Sequence, residues 1–191
     1  MAILKLSQLD EDVPYSYQDY LSWQFSERVE LIKGYLFRMS PAPNLAHQRI
    51  TTALTALFWQ HFSDKSCHVF TAPFDVQLFP DEVETATIVQ PDLCVVCDDT
   101  KLVEQGCKGA PDLIVEVLSP GNSKKEMREK YEVYQTAGVR EYWLVSPYDK
   151  VVWVYVLKDG QYVGRQPYTE EQAISPEIFP QLSIDLAQVM L

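Results

Sequence analysis

The stretch PDLIVEVLSP (residues 111–120) decides the fold, because it predicts a buried strand that carries a carboxylate in its middle. Side chains alternate between the two faces of a strand, and a strand that is apolar on both faces belongs in the centre of a sheet. Glu116 shares a face with Ile114 and Leu118. Because a buried carboxylate without a partner is costly, Glu116 needs a cation nearby. That cation is either a partner in a structural ion pair or part of a functional site.

A helix over residues 123–137 and the strand EYWLVS (141–146) follow this strand. Ser123 and Glu126 have the spacing of a capping box, and Gly138 is a usual helix end. The order strand, helix, strand is typical of a sheet that is covered by helices.

Lys130 is unusual because it falls within the apolar stripe of this helix. An inward lysine either extends to the sheet edge or points at an anion. Glu126 lies four residues earlier, so an ordinary ion pair on the helix surface is the alternative. The other members of the stripe are Met127, Tyr131, Tyr134 and Ala137.

The rest of the chain adds helices, strands and hairpins around this unit. Together these elements predict an α/β (α+β) fold with a central mixed sheet that is flanked by helices, as one domain over residues 1–191. The predicted elements are a helix at 16–25, a hairpin at 29–39 turning at Lys33–Gly34, a break at 40–44, a helix at 45–62, strands at 67–72, 74–79 and 87–96, a hairpin at 151–163 turning at Asp159–Gly160, and one helical turn near the end.

Three further polar residues stand at positions where apolar residues are expected. Asp92 follows Pro91 and precedes the apolar run LCVV, where it either caps a turn or joins Glu116. Glu30 lies within an apolar strand. His47 lies at the rim of the apolar face of the helix at 45–62, where a hydrogen-bonded core histidine is the alternative.

These residue types are suited to cleaving phosphodiester bonds. Asp92 and Glu116 can hold Mg²⁺ or Mn²⁺ through carboxylate oxygens. Such an ion polarises a phosphate and activates water. Lys130 can orient that water or stabilise developing negative charge. The set therefore predicts a metal-dependent phosphodiesterase.

The segments QPDL (90–93), PDLIVEVLSP (111–120) and EKYEVYQTAGVREYWLV (129–145) resemble the Uma family of predicted restriction endonucleases. That family belongs to the PD-(D/E)XK nuclease superfamily. The resemblance extends from about Glu30 to Tyr155. It implies a restriction-endonuclease-like fold, DNA as the substrate, Glu30 as a further acidic site residue, and a homodimer that cuts both strands.

The superfamily pattern is an Asp on one strand and Glu-x-Lys on the next. By this resemblance Asp92 is the Asp and Glu116 is the Glu. Leu118 stands where the lysine would be, so the resemblance implies that the lysine has moved to the following helix as Lys130. Asp112 also follows a proline and competes with Asp92, but it begins the strand that already holds Glu116.

The formal net charge of -11 limits how the chain could bind nucleic acid. Proteins that contact many phosphates usually carry a basic face, so binding here requires a local patch, a cation or a partner. Two other functions therefore stay open. One is an inactive DNA-binding or protein-interaction module on the same fold, and the other is a hydrolase that uses Glu30 and Glu116 as a carboxylate pair.

The sequence predicts a cytoplasmic protein with reduced cysteines. No apolar run approaches the ~18 residues of a membrane span, and the start of the chain lacks the pattern of a secretory signal. The four cysteines are irregularly spaced. Cys94 and Cys97 would point to opposite faces of one strand, so they are poorly placed to bind the same zinc ion.

Overall fold

The chain forms two large β-sheets and one two-stranded sheet, with helices packed against the large sheets. The computed structural model describes residues 5–39, 44–82, 84–120 and 124–190. The α-helices are α1 (Tyr17–Ser22), α2 (Leu45–Phe62), α3 (Lys124–Ala137) and α4 (Leu186–Val189), and short 3-10 helices lie at Leu6–Gln8 and Asp99–Lys101. The strands are β1 (Val29–Ile32), β2 (Tyr35–Arg38), β3 (His68–Thr71), β4 (Asp75–Gln77), β5 (Ile88–Val89), β6 (Leu93–Val96), β7 (Leu102–Val103), β8 (Gly106–Lys108), β9 (Leu113–Val117), β10 (Glu141–Ser146), β11 (Val151–Lys158), β12 (Gln161–Gly164), β13 (Tyr168–Thr169), β14 (Ala173–Ile174) and β15 (Ile184–Asp185).

The larger sheet has the strand order β12-β11-β10-β9-β6-β3, and β13 adds to β11. Strands β9 and β10 are parallel, whereas their outer neighbours β6 and β11 pair with them in antiparallel fashion. Parallel neighbours need a long crossover connection, and α3 provides it. The predicted unit of strand, helix and strand is therefore confirmed, and so is the mixed sheet flanked by helices.

Two apolar layers cover the two faces of the larger sheet. Helix α2 packs on one face through Ile50, Leu54, Phe58 and Phe62. Helix α3 and the smaller sheet, of order β2-β1-β5-β4-β8-β7, cover the other face. Within the described ranges, none of the helices combines the length and the apolar character that crossing a bilayer requires.

The predicted strand at 87–96 is in fact two strands that belong to different sheets, which corrects the prediction. Strand β5 pairs with β1 and β4, whereas β6 pairs with β3 and β9. Pro91 lacks the N–H that a continuous ladder would need. The N–H of Gln90 donates instead to Oε1 of Glu30, at 2.7 Å. The chain thus passes from one sheet to the other here, and Asp92 lies directly before β6.

Both predicted hairpin turns are confirmed, and both have the geometry that suits twisted strands. Lys33 and Gly34 have φ of 54° and 83°, and Asp159 and Gly160 have φ of 49° and 77°. Two consecutive positive φ values define a type I′ turn, which favours glycine at the second position.

Helices α1 and α3 agree in part with the start and end residues that the sequence predicts. Ser16 caps α1, but that helix ends at Ser22, earlier than the predicted Phe25. Helix α3 ends before Gly138, and the N–H of Val139 donates to the carbonyl of Tyr134 at 3.0 Å, as in a Schellman motif. The predicted start of α3 at Ser123 and most of the break at 40–44 lie outside the described residues.

The cysteines correct the expectation that all four thiols are reduced. Cys67 and Cys97 form a disulfide between the ends of β3 and β6. The register pairs His68 with Val96, so the two cysteines lie directly opposite each other, with Cα atoms 4.0 Å apart. Cys94 and Cys107 are buried free thiols. Cys94 packs on the opposite face of the sheet from Cys97, as predicted for this spacing.

Candidate active site

The ammonium group of Lys130 lies between two carboxylates in the interior. Its Nζ is 2.9 Å from Oε2 of Glu30 and 3.0 Å from Oε1 of Glu116. Lys130 is 7% exposed and Glu30 is 2% exposed, so neither charge is solvated. Lys130 points inward, as its place in the apolar stripe predicts. One side chain of α3 therefore joins β1 of the smaller sheet to β9 of the larger sheet.

Glu116 is held by a second donor and carries a strongly perturbed pKa. The hydroxyl group of Tyr134, one helical turn after Lys130, donates to Oε1 of Glu116 at 2.5 Å. Burial is the main cause that raises the pKa of Glu116 to about 7, while Lys130 lowers this pKa and the negative charges of Asp92 and Glu30 raise it. Burial lowers the pKa of Lys130, but the attraction of Glu116 and Glu30 outweighs this and keeps that pKa well above its ordinary value.

Asp92 lies beside Glu116 at one end of the larger sheet. The register pairs Leu93 with Val115, and its continuation sets Asp92 opposite Glu116. Oδ2 of Asp92 accepts from the N–H of Val117 at 2.8 Å and lies 3.1 Å from Nε2 of His47. Nδ1 of His47 is 3.3 Å from the hydroxyl oxygen of Thr51. The tautomer protonated at Nε2 satisfies both contacts, because Nδ1 then accepts from the hydroxyl group.

The structure brings the five sequence-predicted site residues to one end of the larger sheet. Glu30, Lys130 and Glu116 form one ion-paired cluster, and Asp92 and His47 meet beside it. The competing Asp112 lies at the other end of β9, about 13 Å from Glu116 at ~3.3 Å per residue. It accepts from the N–H of Cys97 and pairs with Arg140 at 3.0 Å, which accounts for it as a structural carboxylate.

Two contributors to the site, Tyr134 and Gln90, were not predicted from the sequence. Tyr134 could have been found, because it lies four residues after Lys130 on the same helix face. Gln90 gave no such signal. Besides its backbone contact to Glu30, its side chain accepts from Nε of Arg28 at 2.9 Å and donates to Asp75 at 2.8 Å.

Two cavities give access to these groups from opposite sides of the sheet. A cavity of about 20 Å³ is lined by Glu116 and Lys130 and has room for one water-sized group. A cleft of about 480 Å³ beside α2 is lined by His47 and Asp92, among others. Asp92 is therefore accessible from the α2 side.

The acidic residues of the site can supply part of the coordination shell of a divalent cation. Within the residues that the structure describes, no three His, Cys, Asp or Glu side chains form a group that could hold a metal ion. Mg²⁺, however, commonly uses only one or two carboxylates and takes its other oxygens from water and substrate phosphate. The adjacent carboxylates of Asp92 and Glu116 meet that requirement, and the repulsion between them favours a cation.

Comparison with known proteins identifies the family. The family model Uma2, described as "Putative restriction endonuclease", matches residues 17–187. The chain belongs to the Uma2 family. Membership of this family supports a hydrolytic nuclease.

Two relatives extend this comparison. The Uma2 chain is 27% identical over 132 residues to an uncharacterized protein, slr1290, of Synechocystis sp. (strain ATCC 27184 / PCC 6803 / Kazusa), covering 68% of this chain and 67% of that protein. It also matches a crystal structure of "a putative nuclease belonging to DUF820" from Anabaena variabilis ATCC 29413, with a TM-score of 0.72 and 19% identity, over 93% of this chain and 98% of the other. The structural match confirms the predicted fold class.

Replacing Lys130 by Met should destabilise the protein by about 3–5 kcal/mol, because two buried carboxylates lose their counter-ion. The free energy of unfolding from urea denaturation in EDTA measures this effect. Lys33→Met is the matched control, since Lys33 is exposed and pairs with Glu129 and Glu132 at the surface. It should change the stability by less than about 0.5 kcal/mol. Equal effects of the two substitutions would contradict the buried ion pair.

The metal-free protein should lose about 1–2 kcal/mol of stability between about pH 5.5 and about pH 8 through Glu116. The pKa of Glu116 is about 7 when folded, above its ordinary value. The folded state therefore keeps a proton that the unfolded chain has released, so stability falls as the pH rises toward 7 and then levels off.

Glu116→Gln should remove this part of the pH dependence and stabilise the protein at about pH 8. The amide oxygen can still accept from Lys130 and Tyr134. Glu132→Gln, at a more exposed position on the same helix, is the control and should keep the wild-type slope. Urea denaturation of the three proteins across this pH range makes the comparison, and a slope that survives in Glu116→Gln would contradict the assignment.

Proposed function

We propose that the chain is a metal-dependent endodeoxyribonuclease whose metal ligands are Asp92 and Glu116. The observation that carries this proposal is the register of β6 and β9, which sets the two carboxylates side by side at the end of the larger sheet. Lys130 lies 3.0 Å from Glu116, so a positive charge stands beside the pair. Mg²⁺ and Mn²⁺ suit these oxygen ligands.

Each residue of the site has a distinct part in this chemistry. A divalent cation, when bound, supplies Lewis-acid polarisation of the scissile phosphate. His47 and the N–H of Val117 orient the carboxylate of Asp92. Lys130 and Tyr134 orient that of Glu116, and the ammonium group of Lys130 can stabilise negative charge as the phosphate reacts. Glu30 fixes the position of Lys130.

Support for DNA as the substrate comes from the family, which is described as restriction endonucleases. Enzymes that cut both strands commonly act as pairs of active sites. A homodimer stays a prediction from the resemblance, and sedimentation equilibrium would test it.

An inactive binding module is the second candidate, and one observation favours it. Both ion-pair contacts of Lys130 are internal, to Glu30 and Glu116, and its side chain is only 8% exposed. This arrangement is also what a purely structural ion pair would show. A hydrolase that uses Glu30 and Glu116 as its catalytic pair is disfavoured, because Glu30 is 2% exposed and cannot reach a substrate.

Supercoiled plasmid DNA should be nicked or linearised with Mg²⁺ or Mn²⁺ and left intact in EDTA. Asp92→Asn and Glu116→Gln should each lower the cleavage rate by about 100-fold or more, because each removes a charged metal ligand while its amide keeps the hydrogen bonds. Gel electrophoresis over time gives the rates. These two variants are preferred to Lys130 substitutions, which also remove a buried counter-ion.

Asp99→Asn is the matched control, because Asp99 is a solvent-exposed carboxylate that contacts His68 far from the site. It should cleave at the wild-type rate. Metal-independent binding of DNA without any cleavage would instead favour the inactive module.

A further inference from the structure

Helix α2 lacks acidic residues along its whole length, although the chain as a whole carries 27 of them. The cleft of about 480 Å³ lies on one side of this helix, and a second cleft of about 650 Å³ lies on its other side, toward α4. Gln48, Thr52 and Ala56 line both clefts and form an uncharged ridge between them. We call these two clefts and their ridge the α2 surface.

The charge of the α2 surface is opposite in sign to that of the protein. Among the described residues that line the two clefts, the fully charged side chains are Arg28, Arg49 and Asp92. Asp92 is the proposed metal ligand, so a bound cation would offset its charge. A polyanion that is repelled by most of this acidic protein therefore meets a favourable potential here.

Trp59 supplies the second feature of a nucleic-acid site. It lines the first cleft and is 63% exposed, although large aromatic side chains are usually covered. Exposed aromatic rings near basic side chains such as Arg28 are a usual platform for unpaired bases, since every base has a face that can stack. Thr51 and Thr55 add hydroxyl groups along the same cleft.

The length of α2 relates this platform to the catalytic residues. Trp59 lies twelve positions after His47, which contacts Asp92, so the two are about 18 Å apart along the helix at ~1.5 Å per residue. A strand with ~3.4 Å between stacked nucleotides would span this distance with about five nucleotides.

We propose that the α2 surface binds single-stranded DNA, with one unpaired base stacked on Trp59 and the backbone passing Arg28 toward Asp92. This inference rests on the proposed function, because it names the form of DNA that the same site receives. An exposed indole can stack on an unpaired base, whereas the bases of an intact duplex are already stacked on one another. The chain would then act on unpaired or locally opened DNA.

Binding without cleavage tests the proposal. Fluorescence anisotropy of a labelled oligodeoxythymidylate about ten nucleotides long, measured in EDTA at low salt, should show Trp59→Ala binding about tenfold more weakly than wild type. Trp59→Phe should stay within about threefold of wild type, because a benzene ring still stacks. Arg28→Ala should reduce the slope of log affinity against log salt by about 0.7, because Arg28 lies on the proposed path of the backbone.

Tyr35→Ala is the matched control, because Tyr35 is an exposed aromatic residue on β2 that does not line either cleft. It should bind the oligonucleotide as wild type does. Equal affinity of wild type and Trp59→Ala, or an equal loss in Tyr35→Ala, overturns the proposal. A third outcome also overturns the proposal: Trp59→Ala converts a dimer into a monomer in sedimentation and has no other effect. The α2 surface would then be a contact between two copies of the chain.

The plasmid assay separates this inference from the proposed function. Trp59-dependent binding of the oligonucleotide without plasmid cleavage would support the α2 surface and reject the nuclease. Plasmid cleavage with unchanged binding in Trp59→Ala would support the nuclease and reject the α2 surface.

Discussion

The buried ammonium group of Lys130 is the interaction on which the arrangement of this molecule depends. It joins Glu30 of the smaller sheet to Glu116 of the larger sheet from a helix that packs on both. Lys130 pairs with two carboxylates, and Asp92 stands beside Glu116, so the cluster keeps an excess of negative charge that one internal cation does not neutralise. Burying such charges is costly, and it rarely makes a protein more stable than apolar packing would. The cluster is therefore better explained by a need for charge at this place than by a contribution to stability.

Pro91 determines how the second carboxylate reaches the cluster. A strand that continued through residues 87–96 would keep Asp92 in one sheet, with no reason to stand beside Glu116. The break at Pro91 lets β5 stay with the smaller sheet while β6 joins the larger one. It also frees the N–H of Gln90 to hold Glu30. The break at Pro91 thus positions Asp92 and fixes Glu30. The same local feature of the backbone separates the two sheets and brings the acidic cluster together.

The sequence predicted the parts of this arrangement that depend on local periodicity. The alternation within 112–118 places Glu116 in a buried strand, and the phase of α3 turns Lys130 inward, so both could be derived from spacing alone. The sequence could not reveal which strands become neighbours. The choice between Asp92 and Asp112 rests on the register of β6 against β9, and the Cys67–Cys97 disulfide rests on that of β3 against β6. The crossing between sheets also escaped prediction, because an apolar run interrupted by one proline resembles a single strand.

The net charge of -11 by itself disfavours a nucleic-acid substrate, but the charge is unevenly distributed. Acidic residues are absent from α2, the helix along which a substrate would approach, and three of the chain's carboxylates, Glu30, Asp92 and Glu116, lie together at the end of the sheet. An excess of buried negative charge repels a phosphate until a cation is bound. Cation and substrate would therefore raise each other's affinity, because linkage between two binding events is reciprocal. Under the proposed function, this acidic protein would bind DNA along α2 without the cation and would hold it more tightly once the cation is bound.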